Sequence, residues 1–494
     1  MDDKYIVAIE IGSSKIRGAL ASIDPRGVLN ILAVQDERTV DSVRYGHVKN
    51  VEEVSTKVDS ICRKLENSRV IQPRKITSVY VGLSGCTIGA TTATETSHFD
   101  VDTEIDAMSI ERLKGFISTI GNSDKDIYEM LPREFLVDNE STLNPVGRIG
   151  SSITGTFSLI GGAPSIKNNL NRVFPERLSL QVNGYIVTAL AQADIVLTPD
   201  EKQLGCMFVD FGSDTTTIII FKKGVLRYMV TLPMGSRNIT RDLVSLNHLE
   251  EHAESLKRSV GIFNQTDGAI GGQHSLDKPE LYSYISARAG EIVANVIANI
   301  EYAGFTPADL PSGIVMVGGG AKLKGLDDMI ASQSNMKVRH GSTPRNLRIS
   351  DMSIAADDIV DIAALLVAAA SRNPAECISP IAGIDSDAGQ HASPSQIGPN
   401  NNAGHYDGDY DDGDGDEVRI GREDDDDILD DVDFIDKPKG KGHGKHDLKN
   451  PKNPKKPQDT RSLIDKIQAR MKGLFSDNEE DRFNDDDYED DDDR

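Results

Sequence analysis

Glu10 and Asp210 each stand near the end of an apolar run, and both runs break into groups able to hold a phosphate. In the first, Ile6-Val7-Ala8-Ile9 leads through Glu10 and Ile11 to Gly12-Ser13-Ser14-Lys15, and the apolar pattern resumes as Ile16-Arg17-Gly18-Ala19-Leu20. In the second, Met207-Phe208-Val209 leads through Asp210 and Phe211 to Gly212-Ser213-Asp214-Thr215-Thr216-Thr217, followed by Ile218-Ile219-Ile220-Phe221. Glycine lets backbone N–H groups approach phosphate oxygens, and serine or threonine hydroxyls add donors. An acid on the preceding strand repels a phosphate unless a cation lies between them, so Glu10 and Asp210 imply Mg²⁺, held through water. A third piece, Ile314-Val315-Met316-Val317 followed by Gly318-Gly319-Gly320-Ala321, is a buried strand feeding a glycine turn on which a flat adenine or ribose can lie. The chemistry these pieces suit is nucleotide binding, through Gly12, Ser13, Ser14, Lys15, Asp210, Gly212, Ser213, Thr215, Thr216, Gly318, Gly319 and Gly320. A single glycine-tipped hairpin is most often only a hairpin. Three such pieces in this order are much harder to obtain by chance.

An apolar run, a polar tip and a second apolar run read as a β-hairpin. Two like hairpins about 200 residues apart imply two like α/β domains facing each other. Around the first, the patterns predict a strand near 28–34, an amphipathic helix over 51–65 and a strand over 78–83. Between 84 and 165 a different unit is expected, with strands at 87–94, 133–137 and 155–161 and a helix over 109–120 opened by Ser109. Helices over 168–174 and 184–194 then return to the first domain, which closes near 203. Residues 204–238 begin the second domain, 239–305 form a largely helical lobe, and 306–372 complete the second sheet.

Composition bounds the remainder. A chain of 494 residues, 38% hydrophobic, has material for two or more packed domains. The net charge of −25 is unevenly placed. Residues 1–380 hold 38 Lys and Arg against 46 Asp and Glu, while 381–494 hold 16 against 33. The ordinary charge of the first part argues against a nucleic-acid surface. Cys62, Cys86, Cys206 and Cys377 show no ligand spacing and read as reduced core thiols. The Met1-Asp2-Asp3-Lys4 start lacks a signal-peptide pattern, and the apolar run at 363–370 is too short to span a bilayer, so membrane contact is expected to be peripheral.

Beyond residue 380 the character changes. Residues 384–415 are rich in Gly, Asn, Ser, Pro and Asp, 407–436 are acidic, and 437–456 are rich in lysine. Such a stretch cannot bury enough surface to offset chain entropy, so 381–459 is expected to be a disordered linker. It ends in a helix expected over 460–476. At about 100° per residue, Leu463, Ile464, Ile467, Met471, Leu474 and Phe475 share one face, bordered by Arg461, Arg470 and Lys472. That is the layout of a helix lying in a membrane interface with its cations reaching the headgroups. A helix docking in a protein groove needs the same stripe. Cations on both borders and the lysine-rich tether favour the membrane. An acidic tail, 477–494, follows.

On the three loops the chain resembles the actin, sugar kinase and Hsp70 superfamily and, within it, the FtsA family of bacterial cell-division proteins. The resemblance also rests on residues 198–205, on Pro233-Met234-Gly235-Ser236-Arg237-Asn238-Ile239-Thr240, on Ala253-Glu254-Ser255-Leu256-Lys257 and on Asn144-Pro145-Val146-Gly147-Arg148-Ile149-Gly150. It covers the first three quarters of the chain. It implies an actin-like two-domain ATPase fold in which 84–165 is a small inserted α+β domain, although a plain surface insertion would read alike. By the same resemblance Glu254 and Lys257 border the nucleoside; the alternative is a surface i,i+3 pair. Gln192 is implied as the residue that orients an attacking water, with hydrolysis slow. Two departures stand out. Glu10 replaces the more usual Asp, and Ser213-Asp214 replace glycines, so that Asp214 is expected to set a like charge against the phosphate.

The function this implies is a polymerising, ATP-binding adaptor at the inner face of the cytoplasmic membrane, at the division site. Its implied partners are the tubulin-like protein FtsZ through its C-terminal peptide, further copies of the chain, membrane lipids and other division proteins. A pilus-assembly relative shares the inserted domain, and a sugar-kinase-like phosphotransferase shares the loops. The latter has no use for a tethered amphipathic helix.

Overall fold

The computed structural model describes residues 3–120, 125–262, 278–344, 347–350 and 354–379, all within one compact unit, Met1–His391. The expected linker, amphipathic helix and acidic tail lie outside the described residues.

The chain opens with β1 (Lys4–Ile11), β2 (Lys15–Ile23) and β3 (Leu29–Arg38), an antiparallel meander. A two-residue pair, β4 (Val43–Arg44) and β5 (His47–Val48), leads to helix α1 (Val51–Glu66) and strand β6 (Ser78–Leu83). The α1 side chains Val54, Val58, Ile61 and Leu65 recur at helical spacing and are buried, and the Asn50 side chain caps the helix by accepting from Glu53 N at 3.0 Å. Gly18 of β2 lies directly under Ile61, where a Cβ would collide, so this glycine sets how closely α1 approaches the sheet.

Next comes a unit with its own core: β7 (Gly89–Glu104), α2 (Ala107–Ile120), β8 (Asp126–Val137), β9 (Glu140–Thr142) and β10 (Ile149–Gly162). Its antiparallel sheet has the order β7-β10-β8-β9. Leu113 and Ile117 of α2 pack with Phe135, Ile153 and Phe157. Helix α2 starts two residues before the expected Ser109, because Asp106 supplies the capping acceptor. Both the N–H and the hydroxyl of Ser109 donate to Asp106 Oδ1 at 2.7 Å.

The chain continues through α3 (Pro164–Asn171), a widened turn over Arg172–Arg177, β11 (Gln181–Val187), α4 (Thr188–Val196) and α5 (Pro199–Leu204). The helix expected over 184–194 is therefore half strand. Tyr185, Ile186 and Val187 suit a strand, and parallel pairing with β6 outweighs the helical reading until Thr188.

The second sheet is built from β12 (Cys206–Phe211), β13 (Thr216–Lys222) and β14 (Val225–Leu232), followed by α6 (Ser236–Val244), α7 (Glu250–Val260), α8 (Lys278–Tyr302) and β15 (Ile314–Val317). The chain ends its described course in α9 (Leu326–Ser334), β16 (Val338–His340), β17 (Arg348–Ile349) and α10 (Val360–Ser371). The sheet orders are β11-β6-β1-β2-β3-β17 and β14-β13-β12-β15-β16. Residues 306–372 were expected to complete the second sheet; only part of them does. Strand β17 pairs with β3, and Ile362, Leu365 and Leu366 of α10 join the core beneath β1. The apolar face of α10 finds its cover on the first sheet, and the chain follows it back. Among the described residues no helix is long and apolar enough to cross a membrane.

Candidate functional site

The two hairpin tips are built to one plan. In the first, Glu10 lies opposite Arg17 and Ile11 opposite Ile16; in the second, Asp210 lies opposite Thr217 and Phe211 opposite Thr216. Each tip closes with a glycine N–H on the carbonyl three residues later, Gly12 on Lys15 at 3.0 Å and Gly212 on Thr215 at 2.8 Å. A Cβ on Gly12 would sit 2.9 Å from the Lys15 carbonyl oxygen, and one on Gly212 would sit 2.7 Å from that of Thr215. Neither tip closes in this way with a larger residue. The acids thus occupy equivalent positions at the carboxyl ends of the central strands β1 and β12, the edge where open α/β sheets take their ligands.

Strand β15 brings the third piece beside the second tip, pairing Val317 with Asp210. Gly318 has φ +90°, and a Cβ there would overlap Asp210 Oδ1. Gly320 packs on the Phe211 carbonyl, whereas Gly319 is exposed with nothing within 4 Å of the position a Cβ would take. The turn therefore has one face against Asp210 and one open face of bare backbone.

A residue that the sequence reading passed over completes the acid cluster. Asp361, in the first turn of α10, accepts from Arg17 Nη1 at 2.8 Å and faces both Glu10 and Asp210. Burial, and then the Asp361 charge, hold the Glu10 carboxyl well above the usual carboxylate range. The same two causes push Asp210 up to about 7. Asp361 is half-buried, and the only local signal for it is a lone acid in the first turn of an otherwise apolar helix. Arg17, isolated in an apolar strand, is its partner.

Gln192 is 2% exposed on α4, and its Oε1 has no hydrogen-bond partner among the described residues. Thr188 Oγ1, one helical turn earlier on the same face, is also unpartnered. A Cβ on Gly82 would lie 2.7 Å from Thr188 Oγ1 and 3.5 Å from Glu10 Cγ, which places Thr188 on the flank of the acid cluster. Buried polar atoms without partners mark a place where water or a polar ligand belongs. No three Asp, Glu, His or Cys side chains converge as direct metal ligands among the described residues. The donor set and the open glycine face fit a hydrated Mg²⁺ and a nucleotide better than a directly ligated ion.

Other expected contacts are committed elsewhere. Thr216 Oγ1 donates to the Met234 carbonyl at 2.8 Å, Ser13 Oγ accepts from Gly46 N at 3.4 Å, and Lys15 pairs with Asp36 at 3.5 Å. Ser14 is exposed, and Ser213 and Thr215 are half-buried beside Gly212. Lys257 is buried, and its ammonium reaches Ser236 O at 3.1 Å, Thr240 Oγ1 at 2.9 Å and Glu254 at 2.6 Å. All three of its protons are spoken for. Burial would raise the Glu254 carboxyl, but Lys257, Thr240 and Arg258 hold it below the usual range. In this geometry Glu254 and Lys257 tie α7 to α6.

Asp214 departs most from expectation. It is 1% exposed and turned away from solvent, with Oδ2 accepting from Tyr45 N at 3.3 Å. Arg237 stands 3.4 Å away, and Arg44 and Arg241 stand 4.0 Å away. The charge expected to confront a phosphate is instead surrounded by guanidinium groups.

Residues 207–357 match the family model described as cell division protein FtsA. The chain is 30% identical over 334 residues to cell division protein FtsA of Porphyromonas gingivalis, covering 65% of this chain and 69% of that one. To the Pseudomonas aeruginosa protein of the same name it is 27% identical, over 68% and 83% of the two chains, and to that of Escherichia coli K12 26% identical, over 70% and 86%. Among solved structures, the PilM-PilN type IV pilus biogenesis complex aligns with a TM-score of 0.54 at 13% identity, over 74% of this chain and 98% of that one, a likeness of fold alone. The fold is mixed α/β and actin-like, and this chain belongs to the FtsA family of cell division proteins.

Proposed function

We propose that this chain binds ATP with Mg²⁺ between its two glycine tips and works as a polymerising adaptor that ties the division machinery to the cytoplasmic membrane. The observation that carries the nucleotide part is the equivalence of the tips: same closure, same acid register, with the open face of Gly319 beside the second. The phosphates would lie between Gly12–Lys15 and Gly212–Thr215, the adenosine on the Gly318–Gly320 turn. Mg²⁺ would supply the positive charge that lets phosphate approach Glu10 and Asp210. Gln192, buried with an unused Oε1, would orient the attacking water, with slow hydrolysis expected.

Family membership supports the adaptor part. Its partners in this reading are the FtsZ C-terminal peptide, docking on the α6–α8 lobe, further copies of the chain through the β7–β10 unit, other division proteins, and lipid through residues 460–476. Titration calorimetry with Mg·ATP tests the site, and co-sedimentation with anionic liposomes and purified FtsZ tests the adaptor. No saturable ATP binding would sink the first. Failure to bring FtsZ down with the vesicles would sink the second.

A further inference from the structure

We propose that Asp214 and Arg237 form a latch that clasps the two phosphate tips together, positioning them for a nucleotide and setting how fast it leaves. The proposal rests on the nucleotide reading above. Arg237 is anchored on the second tip by its own backbone, its N–H donating to Ser213 O at 2.8 Å. Its side chain reaches across to the first tip, where Nη2 donates to Ser13 O at 2.7 Å. Asp214, from the second tip, accepts the N–H of Tyr45, in the turn between β4 and β5. That turn in turn grips the first tip through Gly46 N on Ser13 Oγ. Each tip is thus held by a group belonging to the other half of the cleft.

Two features distinguish this from ordinary packing. Asp214 and Arg237 are 1% and 7% exposed, so parting them strands two charges in a desolvated place. Asp214 Oδ1, Arg237 Nη1 and Arg241 Nη2 lack hydrogen-bond partners among the described residues, so the cluster is held by charge at 3.4–4.0 Å and is not a saturated network. The other charges facing it are Arg44, itself paired with Asp41 at 2.7 Å, and Glu250, 4.0 Å from Arg237 Nε. Separation of the tips must break the Arg237–Ser13 and Asp214–Tyr45 bonds together, and a nucleotide between the tips leaves only after that.

The test uses the full chain, Mg²⁺ and a fluorescent methylanthraniloyl ATP, with release followed after a chase of unlabelled ATP. Asp214→Asn keeps the shape and removes the charge. Arg237→Lys keeps the charge, but one ammonium cannot span Ser13 and Asp214. Each should release nucleotide roughly ten- to hundredfold faster, the worth of one charge-assisted hydrogen bond. The double variant should be no faster than the faster single one, as for residues acting as a unit. In nucleotide-free protein the Tyr45 amide should exchange with deuterium faster in both variants. If one variant melts far below the wild type, the other carries the comparison. Wild-type release and unchanged Tyr45 exchange in the variants would overturn the latch while leaving the nucleotide site standing. Absence of saturable binding by the wild type would overturn both.

Discussion

Arg17 Nη1 donates to Asp361 Oδ1 at 2.8 Å while Arg17 Nε donates to Asp36 Oδ1 at 2.7 Å, so one buried guanidinium joins β2, β3 and α10 under the candidate cleft. Glu10 and Asp210 face the same point. Removal of the cation leaves Asp361 beside Glu10 and Asp210 without its partner, but Asp36 is 42% and Asp361 19% exposed, so the cost is below that of a fully buried pair, about 3–5 kcal/mol. Arg17→Met should lower unfolding free energy by roughly 1–3 kcal/mol in urea at pH 7. Asp361→Asn should cost less, because Asp36 still holds the guanidinium.

The raised carboxyls give the stability curve a sign. Burial and the Asp361 charge push Asp210 up to about 7, against about 3.9 for a free aspartate. The folded state therefore binds this proton more tightly than the unfolded chain does. Its contribution is complete below about pH 4 and is lost as pH rises through about 7. Glu10 shifts the same way. Protein free of nucleotide and metal should melt lower at pH 8 than at pH 6, and Asp210→Asn should flatten that slope. An unchanged slope in Asp210→Asn would place the titrating group elsewhere.

Much of this arrangement was legible because the hairpin tips are local. An apolar run, an acid, a glycine and small hydroxyl residues fix both the turn and the register within a dozen residues, and the structure pairs Glu10 with Arg17 and Asp210 with Thr217 accordingly. What was hidden depends on long-range contact. Asp361 lies 344 residues from the Arg17 it pairs with, and nothing local says that α10 returns to the first sheet. Asp214 was misjudged for the same reason. Its charge reads as repulsive beside Ser213 and Thr215, and only folding brings Arg44, Arg237 and Arg241 around it. The Asp214→Gly change, which the isolated loop suggests would tighten ATP binding, is now expected to weaken it.

The glycine turn separates stability from binding. Gly318→Ala would force a side chain into Asp210 at φ +90°, so it should destabilise the fold by roughly 1–3 kcal/mol or more. A Cβ at Gly319 would meet nothing within 4 Å, so Gly319→Arg should leave the melting temperature near that of wild type. The same arginine would cover the open backbone proposed for adenosine, so calorimetry should show ATP binding abolished. Full ATP affinity in a well-folded Gly319→Arg protein would mean that the nucleoside lies elsewhere.

The membrane prediction rests on residues 463–475. Full burial of a Leu, Ile, Met or Phe side chain is worth roughly 1.5–3 kcal/mol, and a helix in an interface buries its face only in part. Each cation near an anionic surface adds about 1 kcal/mol, and the acids at 477–493 subtract from that attraction. One such helix is a reversible anchor. A filament carrying many of them gains residence time through effective concentration, with no stronger single contact required. Phe475→Glu or Ile467→Asp, each placing a charge on the apolar face, should release the protein from anionic liposomes while ATP binding persists. Truncation after residue 476 should strengthen binding, most at low salt, where screening is least. If Phe475→Glu protein still floats with liposomes as well as wild type, the stripe serves a protein groove, and the tether to the membrane must be sought elsewhere in the chain.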